Sequence, residues 1–251
     1  MLRFTWLLVA ALAIHTGAAS AQSTVRLMAA TSPPYAEPKL RDQGISLQIV
    51  EHVFAGTDYQ AEIAIERWSR ALEGASLGVY NGLASAWYSD ERNETMEFSE
   101  PYLSSKLILL KRRGDPRTFK TPRDIAGTRL GILNDYAYGM DFESVRGLRL
   151  HRENFLVQNL LKLADGSIDL VLGDRRSVLY HLDEYLSKRR TEFEVVDVGL
   201  PTVQRHVALS REYPQRAEVL KAFNASLAKA KEDGSLAAIV SQWDKELGVS
   251  N

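Results

Sequence analysis

The chain has 251 residues, with 31 Lys plus Arg against 32 Asp plus Glu for a formal charge of −1, and it contains no cysteine. A charge this close to zero argues against a nucleic-acid partner, which calls for a basic surplus. Without cysteine there are no disulfides, yet a chain of this length hides a core without such staples, as one large domain or two smaller ones.

Met1 to Arg3 gives a short positive start, Phe4 to Ile14 is almost wholly apolar, and Ala19-Ser20-Ala21 is small at the positions a signal peptidase reads. This pattern predicts a secretory leader, Met1–Ala21, cut before Gln22. His15, Thr16 and Gly17 interrupt the apolar run short of the ~20 residues a membrane anchor needs. With no cysteine at the cleavage site to carry a lipid, the mature chain is expected to be soluble and unanchored, in a periplasm closed by an outer membrane.

Val25 to Ala30 reads as a strand ended by Thr31-Ser32-Pro33-Pro34. Ile45, Ile49, Val50, Val53 and Phe54 have helical spacing, and Tyr59 to Ile65 alternates as a strand does. Trp68, Ala71, Leu72 and Ala75 mark a second helix, Val79 to Tyr88 a strand and turn, and Leu103 to Lys111 an apolar strand. Gly114-Asp115-Pro116 breaks the pattern before the alternation restarts. Thr128–Leu133 follows as a strand, Tyr138–Ser144 as a helix start, Asn154–Ala164 as a helix and Ile168–Leu172 as a buried strand. Asp174–Lys188 reads as a helix, Phe193–Val198 and His206–Ser210 as strands, and Ala217–Leu247 as a helical stretch punctuated at Asp233-Gly234. Strand–helix alternation of this kind implies an α/β fold with mostly parallel sheets flanked by helices. The break near residue 114 and a second crossing near Pro201 suggest two lobes with a cleft at the strand ends, where open α/β sheets bind ligands.

Four motifs in order carry a resemblance. Ser89-Asp90-Glu91-Arg92 is followed after five residues by Phe98-Ser99-Glu100-Pro101-Tyr102, and Asp124-Ile125-Ala126-Gly127-Thr128-Arg129-Leu130-Gly131 comes next. Leu163-Ala164-Asp165-Gly166-Ser167-Ile168-Asp169-Leu170-Val171-Leu172-Gly173-Asp174 is the third, and Asp233-Gly234-Ser235-Leu236 with Trp243 the last. Together they resemble the bacterial extracellular solute-binding proteins of family 3, the polar amino-acid type that serve ABC importers. The resemblance implies a two-lobed periplasmic-binding-protein fold with two inter-lobe crossings. Lobe one would comprise residues 22–112 plus 204–251, and lobe two residues 113–203. It also implies a monomer that captures a small polar ligand, an amino acid or related carboxylate, and presents it to an ABC permease, with no cofactor, no metal and no catalysis.

The same resemblance assigns site residues. Arg92 would clamp a ligand carboxylate, as a planar guanidinium does with two parallel hydrogen bonds; the alternative is a surface ion pair with Asp90, Glu94 or Glu97. Asp174 would receive an ammonium group, although Asp after Gly at a helix start is also a common N-cap. Trp68 and Tyr35 would present aromatic faces to the ligand, with core packing as the competing role. Ser85 and Trp87 on the strand before Arg92, and Tyr136 and Tyr138 in the turn Asn134–Gly139, complete the expected pocket. Departures from the family pattern fall at Trp87, where a Ser or Thr is usual, at Asn81 in place of an aspartate, and at Asp135, whose charge opposes an anion. They point to a more aromatic pocket. The four histidines outside the leader, His52, His151, His181 and His206, are scattered without metal-ligand spacing. No H-E-x-x-H, G-x-G-x-x-G or Walker A loop occurs. Two other readings share the scaffold: a periplasmic enzyme resembling cyclohexadienyl dehydratases, with Asp135, Asp174 or Glu100 as acid or base, and a sensing input to a separate membrane receptor.

Overall fold

Ten strands and seven α-helices follow one another over residues 22–249, the part of the chain that the computed structural model describes. The expected leader, residues 1–21, lies outside the described residues. In chain order the elements are β1 (Ser23–Ala30), α1 (Ile45–Ala55), β2 (Tyr59–Glu66), α2 (Trp68–Ser76), β3 (Gly82–Trp87), α3 (Asp90–Thr95), β4 (Met96–Phe98), β5 (Leu103–Arg112), β6 (Arg129–Leu133), β7 (Arg149–Glu153), α4 (Leu156–Asp165), β8 (Leu170–Asp174), α5 (Arg175–Leu186), β9 (Phe193–Val196), β10 (Thr202–Ser210), α6 (Arg216–Glu232) and α7 (Ser235–Glu246).

The strands run in the order β2-β1-β3-β10-β5-β8-β6-β7, with β4 on β10 and β9 on β5. Pairs β1–β2, β1–β3, β6–β7 and β6–β8 are parallel, while β10 and β5 pair antiparallel with their neighbours. β5 serves two sheets. Leu103–Lys106 pair with β10, whereas Leu107–Lys111 pair with β8 and Leu109–Arg112 with β9. The result is a two-lobed α/β fold in which β5 and β10 carry the chain across.

Each lobe has its own core. In the first, Ile49, Val53 and Phe54 of α1 pack against Phe223 and Leu227 of α6 and Trp243 of α7, so the C-terminal helices return to the lobe that begins the chain. In the second, Leu107 and Leu109 of β5 face one apolar cluster with Leu130 and Leu172, and Ile108 and Leu110 face another with Leu160, Leu163 and Leu182. Burial on both faces explains why this stretch of β5 is continuously apolar rather than alternating. Each such side chain contributes about 1.5–3 kcal/mol relative to exposure.

One local expectation fails. Tyr138–Ser144 forms no helix: Asp135, Gly139 and Gly147 hold positive φ, and the Asp141 carboxylate accepts from the Glu143 and Ser144 amides in place of helical carbonyls. Tyr138 and Phe142 still enter the core. The strand β7 is also new, because its Arg-Leu-His-Arg-Glu sequence has no apolar alternation; it lies at the sheet edge, where little of it is buried.

Candidate functional site

The two lobes meet along a cleft with two connected lining regions. A cavity of about 230 Å³ is lined by Ser32 and Pro33, Trp87 and Arg205 on one side and by Leu133, Tyr136, Tyr138, Gly173, Asp174, Ser177 and His181 on the other. A smaller one, about 30 Å³, is lined by Trp68, Ser85, Trp87, Arg92, Asp135, Tyr136 and Arg205. Trp87, Tyr136 and Arg205 belong to both.

Asp174 ends β8 and caps α5. Its Oδ1 accepts from the Ser177 amide at 3.1 Å and from the Tyr35 hydroxyl at 2.5 Å, so the capping role and a cleft position coexist. Its Oδ2 is buried and has no hydrogen-bond partner, in a residue only 5% exposed. A buried acceptor of this kind carries a desolvation cost unless a donor meets it.

Tyr35 is fully buried at the wall rather than the rim, and lines neither cavity. Burial, and then the neighbouring Asp174 carboxylate, raise its hydroxyl well above the usual tyrosine range, so it remains a donor. Its loop is held by Gly44, which precedes α1 at φ 111°. A Cβ there would stand 2.6 Å from the Tyr35 carbonyl oxygen and 2.7 Å from that of Pro34. Ile45 and Ser46 donate their amides to those same two carbonyls.

Arg92 starts inside the short helix α3, whose N-cap Ser89 accepts from the Arg92 amide. Its guanidinium donates to the Trp87 carbonyl at 2.7 Å and, across the cleft, to the Asp135 carbonyl at 2.5 Å, and lies 4.5 Å from the Trp68 ring centre. None of the surface carboxylates Asp90, Glu94 or Glu97 pairs with it; Glu97 bonds Arg216 instead. Partial burial lowers the Arg92 pKa from its usual value. Trp68 borders the small cavity with its indole Nε1 buried and unpartnered.

Ser85 on β3 is buried and accepts from Arg205 at 3.1 Å. Trp87 sits edge-on to Tyr136, with ring centres 5.0 Å apart at 87°. Tyr136 faces both cavities, while Tyr138 is also tied down, its hydroxyl accepting from the Leu133 amide at 2.9 Å. Asp135 turns the chain at φ 58° and offers its carbonyl inward. Asn81 accepts from the Arg26 amide and serves the sheet. Glu100 is exposed and lines neither cavity.

Three residues join the site that sequence reasoning passed over. Arg205 lies on β10 between the buried Val203 and Val207, so a charged residue at an inward strand position was the available signal. Ser177 lines the large cavity and bridges the lobes by donating to the Pro33 carbonyl at 3.0 Å. His181, whose Nδ1 donates to the Ser177 carbonyl, is kept on the neutral side by burial. Gly74-Ala75-Ser76-Leu77-Gly78 has the letters of a nucleophile elbow, G-x-S-x-G. It runs from the end of α2 into a turn, not from strand to helix, and borders neither cavity.

Comparison with known proteins bears on the family and the fold. The L-cystine-binding protein TcyJ of Escherichia coli is 28% identical over 208 residues, covering 80% of this chain and 73% of that protein. The ABC transporter arginine-binding protein 1 of the same organism is 22% identical over 250 residues, 94% and 97% of the two chains. Among solved structures, an ancestral arginine-binding protein bound to arginine superposes with a TM-score of 0.74 at 17% identity, over 89% of this chain and 99% of that one. A histidine kinase sensor domain with similarity to periplasmic binding proteins gives 0.73 at 19%, covering 89% and 97%. Residues 26–246 match the family profile, and the chain therefore belongs to the bacterial extracellular solute-binding proteins, family 3.

Proposed function

We propose that this chain is a periplasmic binding protein that closes on an amino acid and delivers it to an ABC importer. The buried, unpartnered Oδ2 of Asp174 carries the reading: an ammonium group placed there would satisfy an acceptor that the protein leaves open. Arg92, on the other side of the cleft, has two of its five N–H donors engaged with carbonyls and can turn the others to a carboxylate. Relatives named for cystine and arginine binding support the substrate class. No described helix is long and apolar enough to cross a membrane, which fits a chain that works beside its permease. Hinge motion belongs to the proposal, and the divided pairing of β5 supports a pivot between Lys106 and Leu107, several residues before the boundary expected at Arg112–Arg113.

Asp174→Asn separates binding from capping, since Asn caps a helix about as well as Asp. Losing the charge opposite an ammonium costs about 2–5 kcal/mol, or roughly 30- to 3,000-fold in affinity. Calorimetric titration with the amino acid that co-purifies, identified by mass spectrometry, should show that loss while the ligand-free melting temperature barely moves. Unchanged affinity would remove Asp174 from the site.

A further inference from the structure

Arg205 is a buried cation for which the ammonium–carboxylate pairing of one simple amino acid leaves no partner. It is 5% exposed. Its Nε donates to the Ser105 hydroxyl at 3.1 Å and its Nη1 to the Ser85 hydroxyl at 3.1 Å, while the guanidinium carbon stands 3.4 Å from the Tyr35 ring centre. Among the described residues no carboxylate comes within 4.0 Å of its nitrogens. Buried charges are normally paired because desolvation is expensive, and away from the cleft the buried Lys111 has Glu194 at 3.6 Å. Arg176 is bound bidentately by Asp244 at 2.6 and 3.0 Å, and Arg129 by Asp169 at 3.1 and 2.9 Å. Two of Arg205's five N–H donors are accounted for. The residue borders both cavities, which puts it between Arg92 and Asp174.

Charge in the cleft can therefore be counted. Arg92 and Arg205 are positive and Asp174 is negative. Asp135 is exposed and Glu37 half-buried at the margin, so water screens both. A neutral α-amino acid would neutralise Asp174 with its ammonium and one guanidinium with its carboxylate, leaving the second guanidinium buried and unpaired.

We infer that the ligand is an amino acid with a second acidic group, held by Arg205, so that it enters the cleft with a net negative charge. This rests on the amino-acid reading of the cleft and narrows it to the acidic class. The assignment makes Arg205 the residue that sets charge specificity, with Ser85 and Ser105 fixing the guanidinium's orientation.

The test uses the secreted protein, stripped of ligand by unfolding, dialysis and refolding, and titrated calorimetrically with L-glutamate, L-aspartate, their amides, L-arginine, L-histidine and succinate. One of the two acidic amino acids should bind at least about 30-fold more tightly than its own amide. Arg205→Gln should collapse that ratio to near unity by weakening the acid and leaving the amide in place. Arg205→Lys, which keeps the charge, should retain part of it, and melting curves of both variants establish that they fold. Tighter binding of arginine, histidine or an amide than of either acid overturns the inference while leaving the amino-acid reading intact. So does an acid-to-amide ratio that Arg205→Gln leaves unchanged. Succinate binding as tightly as the acidic amino acids would instead overturn the ammonium role of Asp174 and uphold the second anion site. Binding by none of the seven compounds overturns both.

Discussion

Asp169 shows how a single side chain organises the second lobe. Its carboxylate accepts from the Arg129 amide at 2.8 Å and from the Arg129 guanidinium, and Arg117 reaches the same group at 3.0 Å. The Arg129 hydrogen bonds, aided by Arg117, hold its carboxyl well below the usual carboxylate range against the opposing effect of burial. A carboxylate with a depressed folded pKa contributes its stability fully above about pH 4, the unfolded value, and loses it as pH falls toward the folded one. Asp169→Asn should cost about 1–3 kcal/mol at neutral pH, the range for leaving buried partners unsatisfied. Because the variant has no carboxylate to protonate here, its deficit should shrink as pH drops below 4. Denaturant melts of both proteins at neutral and acid pH check this, and a deficit that stays constant with pH would contradict it. Arg92 is the contrasting case: its bonds go to carbonyls on both sides of the cleft, so it ties the lobes together as well as facing the site.

At the level of elements, the loop from β1 to α1 brings Tyr35 to the cleft, and its path depends on one backbone position. Gly44 combines φ 111° with carbonyl oxygens of Pro34 and Tyr35 packed where a Cβ would go. Gly44→Ala must either move that loop or hold strained backbone, at a cost of about 1–3 kcal/mol or more. Since the displaced segment includes the donor to Asp174, affinity should fall along with stability, unlike the outcome for Asp174→Asn. Thermal melts and titration of Gly44→Ala read both quantities; a stable variant with a normal melt would show that the loop tolerates the Cβ. The short helix α3 makes the complementary point. Six residues are too few to stand alone, and the Ser89 cap plus the packing of β4 against β10 hold Arg92 where it is.

For the whole molecule, the two lobes are held together by direct bonds. Arg176 on α5 grips Asp244 on α7 and also donates to the Ser104 carbonyl, Ser177 reaches Pro33, and Tyr35 reaches Asp174. The Arg176–Asp244 pair is largely buried, with side chains 13% and 16% exposed. Contacts made only in the closed form bias the opening equilibrium, and a ligand's apparent affinity scales with the closed fraction. Arg176→Ala should therefore open the ligand-free protein, seen as a larger radius of gyration in small-angle scattering, with compaction restored at ligand saturation. It should also weaken binding several-fold although Arg176 lines neither cavity. Identical scattering from mutant and wild type without ligand would show that the pair does not control closure.

The sequence by itself determined the α/β alternation and the family, which rest on local periodicity and on motifs whose residues are close in the chain, and its resemblance put Arg92 and Asp174 forward as candidate site residues. It also offered Asp174 as a ligand contact first and a helix cap second; the structure has one carboxylate oxygen on the cap and the other without a hydrogen-bond partner. Only the tertiary structure decided that Arg205 belongs with them. Its partners Ser85 and Ser105 are 120 and 100 residues away in the chain, and whether a charged residue on a strand is paired, exposed or left facing a cleft depends on what the other strands bring beside it. The same holds for the coil from Asp135 to Gly147, where positive φ values and side-chain contacts with the core override a locally plausible helix. Local sequence specifies the elements; long-range packing determines which charges face one another.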